Sequence, residues 1–378
     1  MPLNKPLAAT CLSLVCLLTA PLADAALPSY RAALLYPGYS VDPTDLNDVG
    51  QITAATGNYG QFFQASAYAG GQWQGLGTLG GGDSVPASIN NAGHIVGASR
   101  PPSDGAYHAF VHDGRSMRDI HPTGADESHA SAINDKGQVV GTWTTWGETV
   151  ATHHAFIYSN GSLQTIGLGR ASDLNQAGQV TGMAPASDAL DDSQAFIYDD
   201  DGLRLLGTLG GLDSHGSAIN AAGHVVGQSS LAGGPIWGGH AFWHDGMAMH
   251  DLGTLGGTHS EALDINDAGD IVGWSEGPNS GSSFDHRAFL YRDGEMHSLA
   301  DLIATDFAAR IELNRAVAIN EAGHILVAGA YDGYNVGFLL TPVPEPGTYA
   351  LLLAGLGLVA VRKRARRTPA GSPARARS

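Results

Sequence analysis

Only two cysteines occur in the 378 residues, Cys11 and Cys16, and both fall in the first 25 positions. The rest of the chain therefore has no disulfide framework, no cysteine nucleophile and no thiolate metal ligand. Basic residues are scarce too, with 19 Lys and Arg against 36 Asp and Glu. Neither apolar stretch at the ends, residues 7–18 or 349–361, reaches the ~20 residues of a spanning helix. Catalytic signatures are missing. There is no G-x-S-x-G and no H-E-x-x-H, and the recurrent "GTLGG" is followed by a strand pattern and not by a helix. Isolated His, Asp and Ser residues are plentiful, but no spacing orients them as a triad. A non-catalytic protein is the expectation.

The two ends stand apart from the body. Lys5 precedes the first apolar run, and Ala23-Asp24-Ala25 forms an A-x-A cleavage pattern. Residues 1–25 read as a helical secretory signal peptide cut after Ala25, with Ala23 and Ala25 as the cleavage residues; an uncleaved anchor is the alternative. Val15 before Cys16 argues against a lipoprotein. At the other end, Pro344-Glu345-Pro346 is followed by the second apolar run. Then comes the basic cluster Arg362, Lys363, Arg364, Arg366 and Arg367. By the positive-inside rule that cluster stays on the cytoplasmic side. This three-part order resembles the PEP-CTERM sorting signal of Gram-negative bacteria. The resemblance makes residues 342–378 a sorting tail with a short helical membrane segment. It implies an exosortase as partner, passage through the inner membrane, removal of the tail, and display on the cell surface or release. It also implies a link to exopolysaccharide production. A plain C-terminal membrane anchor is the alternative.

Lys5 and Asp24 belong to the signal, and seven Lys/Arg and Glu345 to the tail, so the body keeps 11 basic and 34 acidic residues, a net charge of about −23. A body of that charge is repelled by phosphate backbones, which disfavours nucleic acid as a partner.

Within the body one pattern recurs seven times, I/L-N-x-x-G followed by an apolar strand. Its asparagines are Asn47, Asn90, Asn134, Asn175, Asn220, Asn266 and Asn320. Their spacings of 43, 44, 41, 45, 46 and 54 residues suit propeller blades. Between the copies lie "HAFVHDG", "HAFIYSNG", "QAFIYDDDG", "HAFWHDG" and "RAFLYRDG", and then "GLGTLGG", "LLGTLGG" and "DLGTLGG". Together the three motifs resemble the HAF-family extracellular repeat from about residue 30 to 341. The resemblance implies a recurring extracellular unit, often joined to this sorting tail, and is not an enzyme signature.

Turn chemistry converts the motifs into strands. Asn-x-x-Gly makes a hairpin, with Asn capping and Gly at positive φ; Asp-Gly or Asn-Gly makes a tight two-residue turn. Each repeat then holds four strands, a to d. Small residues four and two positions before Asn, such as Ala130 and Ala132, lie on one face, and the Ile or Leu just before Asn on the other. The segment "YRAALLY" precedes six full sets, and the seventh set lacks strand d. An all-β, seven-bladed propeller over residues 26–341 is expected, with the N-terminal strand completing the last blade and removing the exposed edge. An open β-solenoid, or six or eight blades, are the alternatives.

Variable loops between strands b and c then share one face, opposite the Asn turns. Trp143, Trp146 and Trp237 are placed in those loops, where they could stack on sugars or pack beneath. Asp83, Asp126, His129, Asp213, His215 and His259 are placed in the d–a loops. A ring of such groups makes calcium a candidate ion, although their spacing matches no metal motif and no cofactor is expected. His108, His154 and His240 open strand c and read as structural. The functional expectation is a surface module that binds extracellular polysaccharide or a surface protein. A hydrolase or lyase of matrix polymers, and a purely structural matrix protein, are the alternatives.

Overall fold

The computed structural model describes residues 27–36, 40–57, 63–102, 105–186, 192–234, 238–278, 285–303 and 311–343. The signal residues Ala23 and Ala25, the sorting residues Pro344, Glu345 and Pro346, and Trp237 lie outside them. The described strands form seven four-stranded antiparallel sheets. Neighbouring inner strands touch all the way round, and Ser40–Leu46 of the first blade meets Ile311–Ile319 of the last. The molecule is a closed seven-bladed β-propeller.

Six blades are a-b-c-d meanders. The seventh runs Ile311–Ile319, Ile325–Tyr331, Tyr334–Val343 and then Ser29–Leu35, so the N-terminal strand is its outer strand. Ala32 faces Leu340 and Leu35 faces Gly337 in that pairing. Tyr30, fully buried, packs with Leu299, Val336 and Leu340, which closes the seam between the sixth and seventh blades. Among the described residues the one helical turn is Leu299–Leu302, beside that seam.

Each motif has a packing reason. In "IVG" or "VVG" and "HAF" or "RAF" the glycine of strand b pairs with the phenylalanine of strand c: Gly97 with Phe110, Gly141 with Phe156, Gly227 with Phe242, Gly273 with Phe289. Those four phenylalanines are fully buried. A Cβ on Gly227 would lie 1.9 Å from the carbonyl oxygen of His215 on the inner strand, so only glycine fits there. The alanine of "HAF" donates its amide to a serine of the next blade, as Ala109 does to Ser128 Oγ and Ala241 to Ser260 Oγ. "GTLGG" is a loop clasp: Leu79 and Leu255 donate their amides to Ser99 Oγ and Ser275 Oγ.

Two local expectations are corrected. The Asp-Gly turn has two residues in the third, fourth and sixth blades but four in the second and fifth. There the Asp113 and Asp245 carboxylates accept amides two and three residues on, which stabilises the wider loop. The strict alternation of strand a is also broken. All seven inner strands carry a register shift at the third residue before Asn. The bulge lets the alanines four and two before Asn and the Ile one before it all be buried, as Ala130, Ala132 and Ile133 are.

Candidate functional site

Offsets from each Asn sort the inner strands into tiers along the propeller axis. At the Asn itself the side chains form a closed circle. Asn47 Nδ2 donates to the Asn90 carbonyl at 2.9 Å, Asn90 to Asn134 at 3.0 Å, and the series continues through Asn175, Asn220 and Asn266 to Asn320. Asn320 Nδ2 returns to the Asn47 carbonyl at 3.2 Å. Each Asn also caps its own turn, as Asn47 Oδ1 accepts the Gln51 amide at 2.8 Å. All seven are buried. Their role is thus doubled: local cap and tie between blades.

One residue further on, Asp48, Asn91, Asp135, Asp267 and Glu321 accept amides from the preceding blade, as Asp48 Oδ1 does from Glu321 at 3.0 Å. Burial, and then the charges of Asp267 and Asp48, push the Glu321 carboxyl up. This mouth of the axial channel is acidic.

Two residues before Asn, three blades carry aspartate. Asp45, Asp173 and Asp264 each reach into the next blade, accepting the amides of Ile89 at 2.8 Å, Ile219 at 2.9 Å and Ile319 at 2.7 Å. Burial raises all three despite those hydrogen bonds, Asp173 to about 7 and Asp264 to about 8; the charges of the other aspartates add to the rise.

Five residues before Asn stand Asp42, Val85, His129, Arg170, His215, Glu261 and Arg315. Adjacent members meet across blade boundaries: His215 Nε2 lies 3.0 Å from Glu261 Oε1 and Arg315 Nη2 lies 3.7 Å from Asp42 Oδ1. The His215 contact, with the Trp274 indole at 2.9 Å, holds the Glu261 carboxyl below its usual range against burial. This tier rims the other mouth, on the face of the b–c loops.

Here a cavity of about 550 Å³ opens among the second, third and fourth blades. Val85, Pro86, Ala87, Ala98, Ala130 and Ala171 supply its apolar wall. Glu127, His129, Ser131, Thr142, Thr144, His153, Arg170 and Ser172 supply its polar groups. His129 Nε2 is 3.1 Å from Glu127 Oε1. Arg170 Nη2 donates to His153 Nε2 at 2.8 Å. A guanidinium only donates, so the His153 proton sits on Nδ1 and goes to Thr144 Oγ1 at 3.0 Å. Burial, and then the Arg170 charge, hold the His153 imidazole below its usual pKa.

The residues singled out from sequence do not gather into one site. Trp143 and Trp146 lie within strand Val139–Trp146 and not in a loop. Trp143 stacks on His154 at 3.8 Å and donates to Thr165 Oγ1, whereas Trp146 is 62% exposed at the strand end. His129 and His215 are strand residues of the mouth tier, also not loop residues. Asp126 accepts the Trp146 amide, Asp213 accepts the Ser193 amide, and His259 pairs with Glu276 at 3.0 Å. Asp83 lies 3.5 Å from Arg100. Among the described residues no three His, Asp or Glu side chains stand close enough to hold a metal ion. His108 and His240 bond Asp119 and Asp251 on strand d. Glu127, Thr142, Thr144, His153 and Arg170 were missed from the sequence. Reading down the repeats at a fixed offset from Asn would have found Arg170.

The PEP-CTERM protein-sorting motif matches residues 342–367. The chain thus carries the sorting signal of exported exosortase substrates directed to the surface of Gram-negative bacteria. Among the described residues no helix is long and apolar enough to cross a membrane. No curated protein matches the chain. Solved structures share the fold. YCF48, solved bound to a D1 peptide, is 12% identical, with 85% of this chain and 97% of that chain covered at a TM-score of 0.50. The β-propeller domain of the Trilobed protease from Pyrococcus furiosus is 9% identical, with 80% and 93% covered at a TM-score of 0.51. At these identities the likeness is one of fold alone.

Proposed function

We propose that the mature chain is a non-catalytic binding module, displayed outside the cell after exosortase processing, whose loop-face channel mouth takes extracellular polysaccharide. The observation that carries this reading is polarity. Ser29 pairs with Val343, and Gly323 of the last Asn turn lies beside Pro342. Both ends of the ring therefore leave from the Asn-turn face, and the 550 Å³ cavity opens on the opposite one. A module held by its tail would present that cavity away from the membrane. Rigid blades with a cavity among them suit recognition. The ionisable groups of the cavity are engaged in pairs, Glu127 with His129 and Arg170 with His153, which suits binding more than turnover.

Binding of the mature protein to an array of bacterial exopolysaccharides, together with release assays on the glycans retained, tests this. Retention without cleavage is expected, with and without added calcium. Cleavage would make the protein a hydrolase or lyase; no retention of any glycan would remove the reading.

A further inference from the structure

We infer that the cavity among the second, third and fourth blades is specific for a carboxylated sugar, a uronic-acid unit of a polysaccharide whose neighbouring units are neutral. This deepens the binding reading above and rests on it. The central observation is the partner of Arg170. Arg100, Arg204, Arg287, Arg292 and Arg315 each have an aspartate, and Arg118 has the hydroxyl and ring of Tyr158. Arg170 has instead the imidazole of His153, held neutral as an acceptor. That bond occupies one of five N–H donors, and no carboxylate forms a salt bridge with the guanidinium among the described residues. In a body of net charge about −23, a cation aimed at a cavity and lacking a carboxylate is a site for one.

The rest of the lining indicates what carries that carboxylate. Thr142, Ser131 and Ser172 contribute hydroxyls to the same lining as Arg170, and Val85, Pro86 and Ala87 contribute apolar surface to it. Vicinal hydroxyls on one edge and C–H groups on one face are what a pyranose presents. The volume lies within the range of small-molecule sites. The cavity also contains Glu127, already paired with His129. One guanidinium with no carboxylate bonded to it, near one carboxylate paired with a histidine, suits a single acidic unit. It disfavours an acidic peptide, whose clustered carboxylates would meet Glu127.

Titration calorimetry of the mature protein at low salt tests the assignment. The probes are a tetrasaccharide of alternating glucuronate and neutral hexose, its carboxyl-reduced counterpart, and an acidic hexapeptide. The acidic sugar is expected to bind about ten- to a hundredfold more tightly than the reduced one, the range of a hydrogen-bonded charge. Arg170→Gln should reduce its affinity to that of the reduced sugar. Because Arg170 is exposed, the melting temperature of the variant should stay unchanged, and the reduced sugar on the wild type gives the same comparison without mutation. Equal binding of acidic and reduced sugars, or unaltered binding by Arg170→Gln, overturns the inference while leaving glycan binding in place. Binding of the peptide alone overturns the sugar assignment. Failure of every glycan overturns the function proposed above as well.

Discussion

Tyr30 shows how much one side chain decides. It is fully buried, yet its hydroxyl has no hydrogen-bond partner among the described residues. Burial drives its pKa to about 12, against the nearby charge of Arg292. The ring contributes packing and the hydroxyl a desolvation cost. Tyr30→Phe is therefore expected to raise unfolding free energy by about 1 kcal/mol, and Tyr30→Ala to lower it by about 3–5 kcal/mol, both read by urea denaturation of the mature chain. A loss on Tyr30→Phe would mean that the hydroxyl is satisfied. Asn220 carries the opposite lesson. Its amide donates to the Asn266 carbonyl while its oxygen accepts the His224 amide. Asn220→Ala leaves both partners buried without it, at a cost of about 1–3 kcal/mol; Asn220→Asp keeps the acceptor and loses the donor. An Asp variant as stable as wild type would show that the inter-blade bond contributes nothing.

At the scale of the element, the N-terminal strand was legible because its strand count filled the one empty place in the seventh blade. Removing residues 30–36 should expose the edge of Tyr334–Val343 and lower the melting temperature by more than 10 °C, roughly the effect of several kcal/mol in a chain of this size. A shift within 1–2 °C, measured by scanning calorimetry, would show that the ring does not depend on this closure. The inner strands were less legible. Alternation predicts opposite faces for Ala130 and Ile133, but a bulge between them buries both. Nothing in the residue types of the third position before Asn, which include Thr44, Ala87, Ser131 and Leu263, announces that bulge. It arises because each inner strand must bend where it nears its two neighbours at the axis.

For the whole molecule, the three aspartates in the inter-blade seams make stability depend on pH. Their folded pKa values are raised above the ordinary 3.8, to about 7 for Asp173 and about 8 for Asp264. A group so raised contributes stability that is complete below its unfolded pKa and is lost as pH rises through its folded one. The melting temperature should therefore fall from about pH 4 to about pH 8. Asp173→Ala together with Asp264→Ala should flatten that fall, since Ala132, Ala218 and Ala318 already occupy the position in other blades. An unchanged slope in the double variant would place the pH dependence elsewhere.

Residue order alone determined the number of blades, the pairing of first strand with last, and the sorting tail. Each is written in local signals: a turn motif repeated at a fixed period, a strand count, and an ordered run of proline, apolar and basic residues. The axial circle of asparagines, the bulge, and the meeting of Arg170 with His153 and Thr144 came only from the tertiary structure. They join residues 41 to 273 positions apart or residues on three different strands. Closing a ring brings such residues to one axis, and no periodicity within a single repeat records which side chains will then be neighbours.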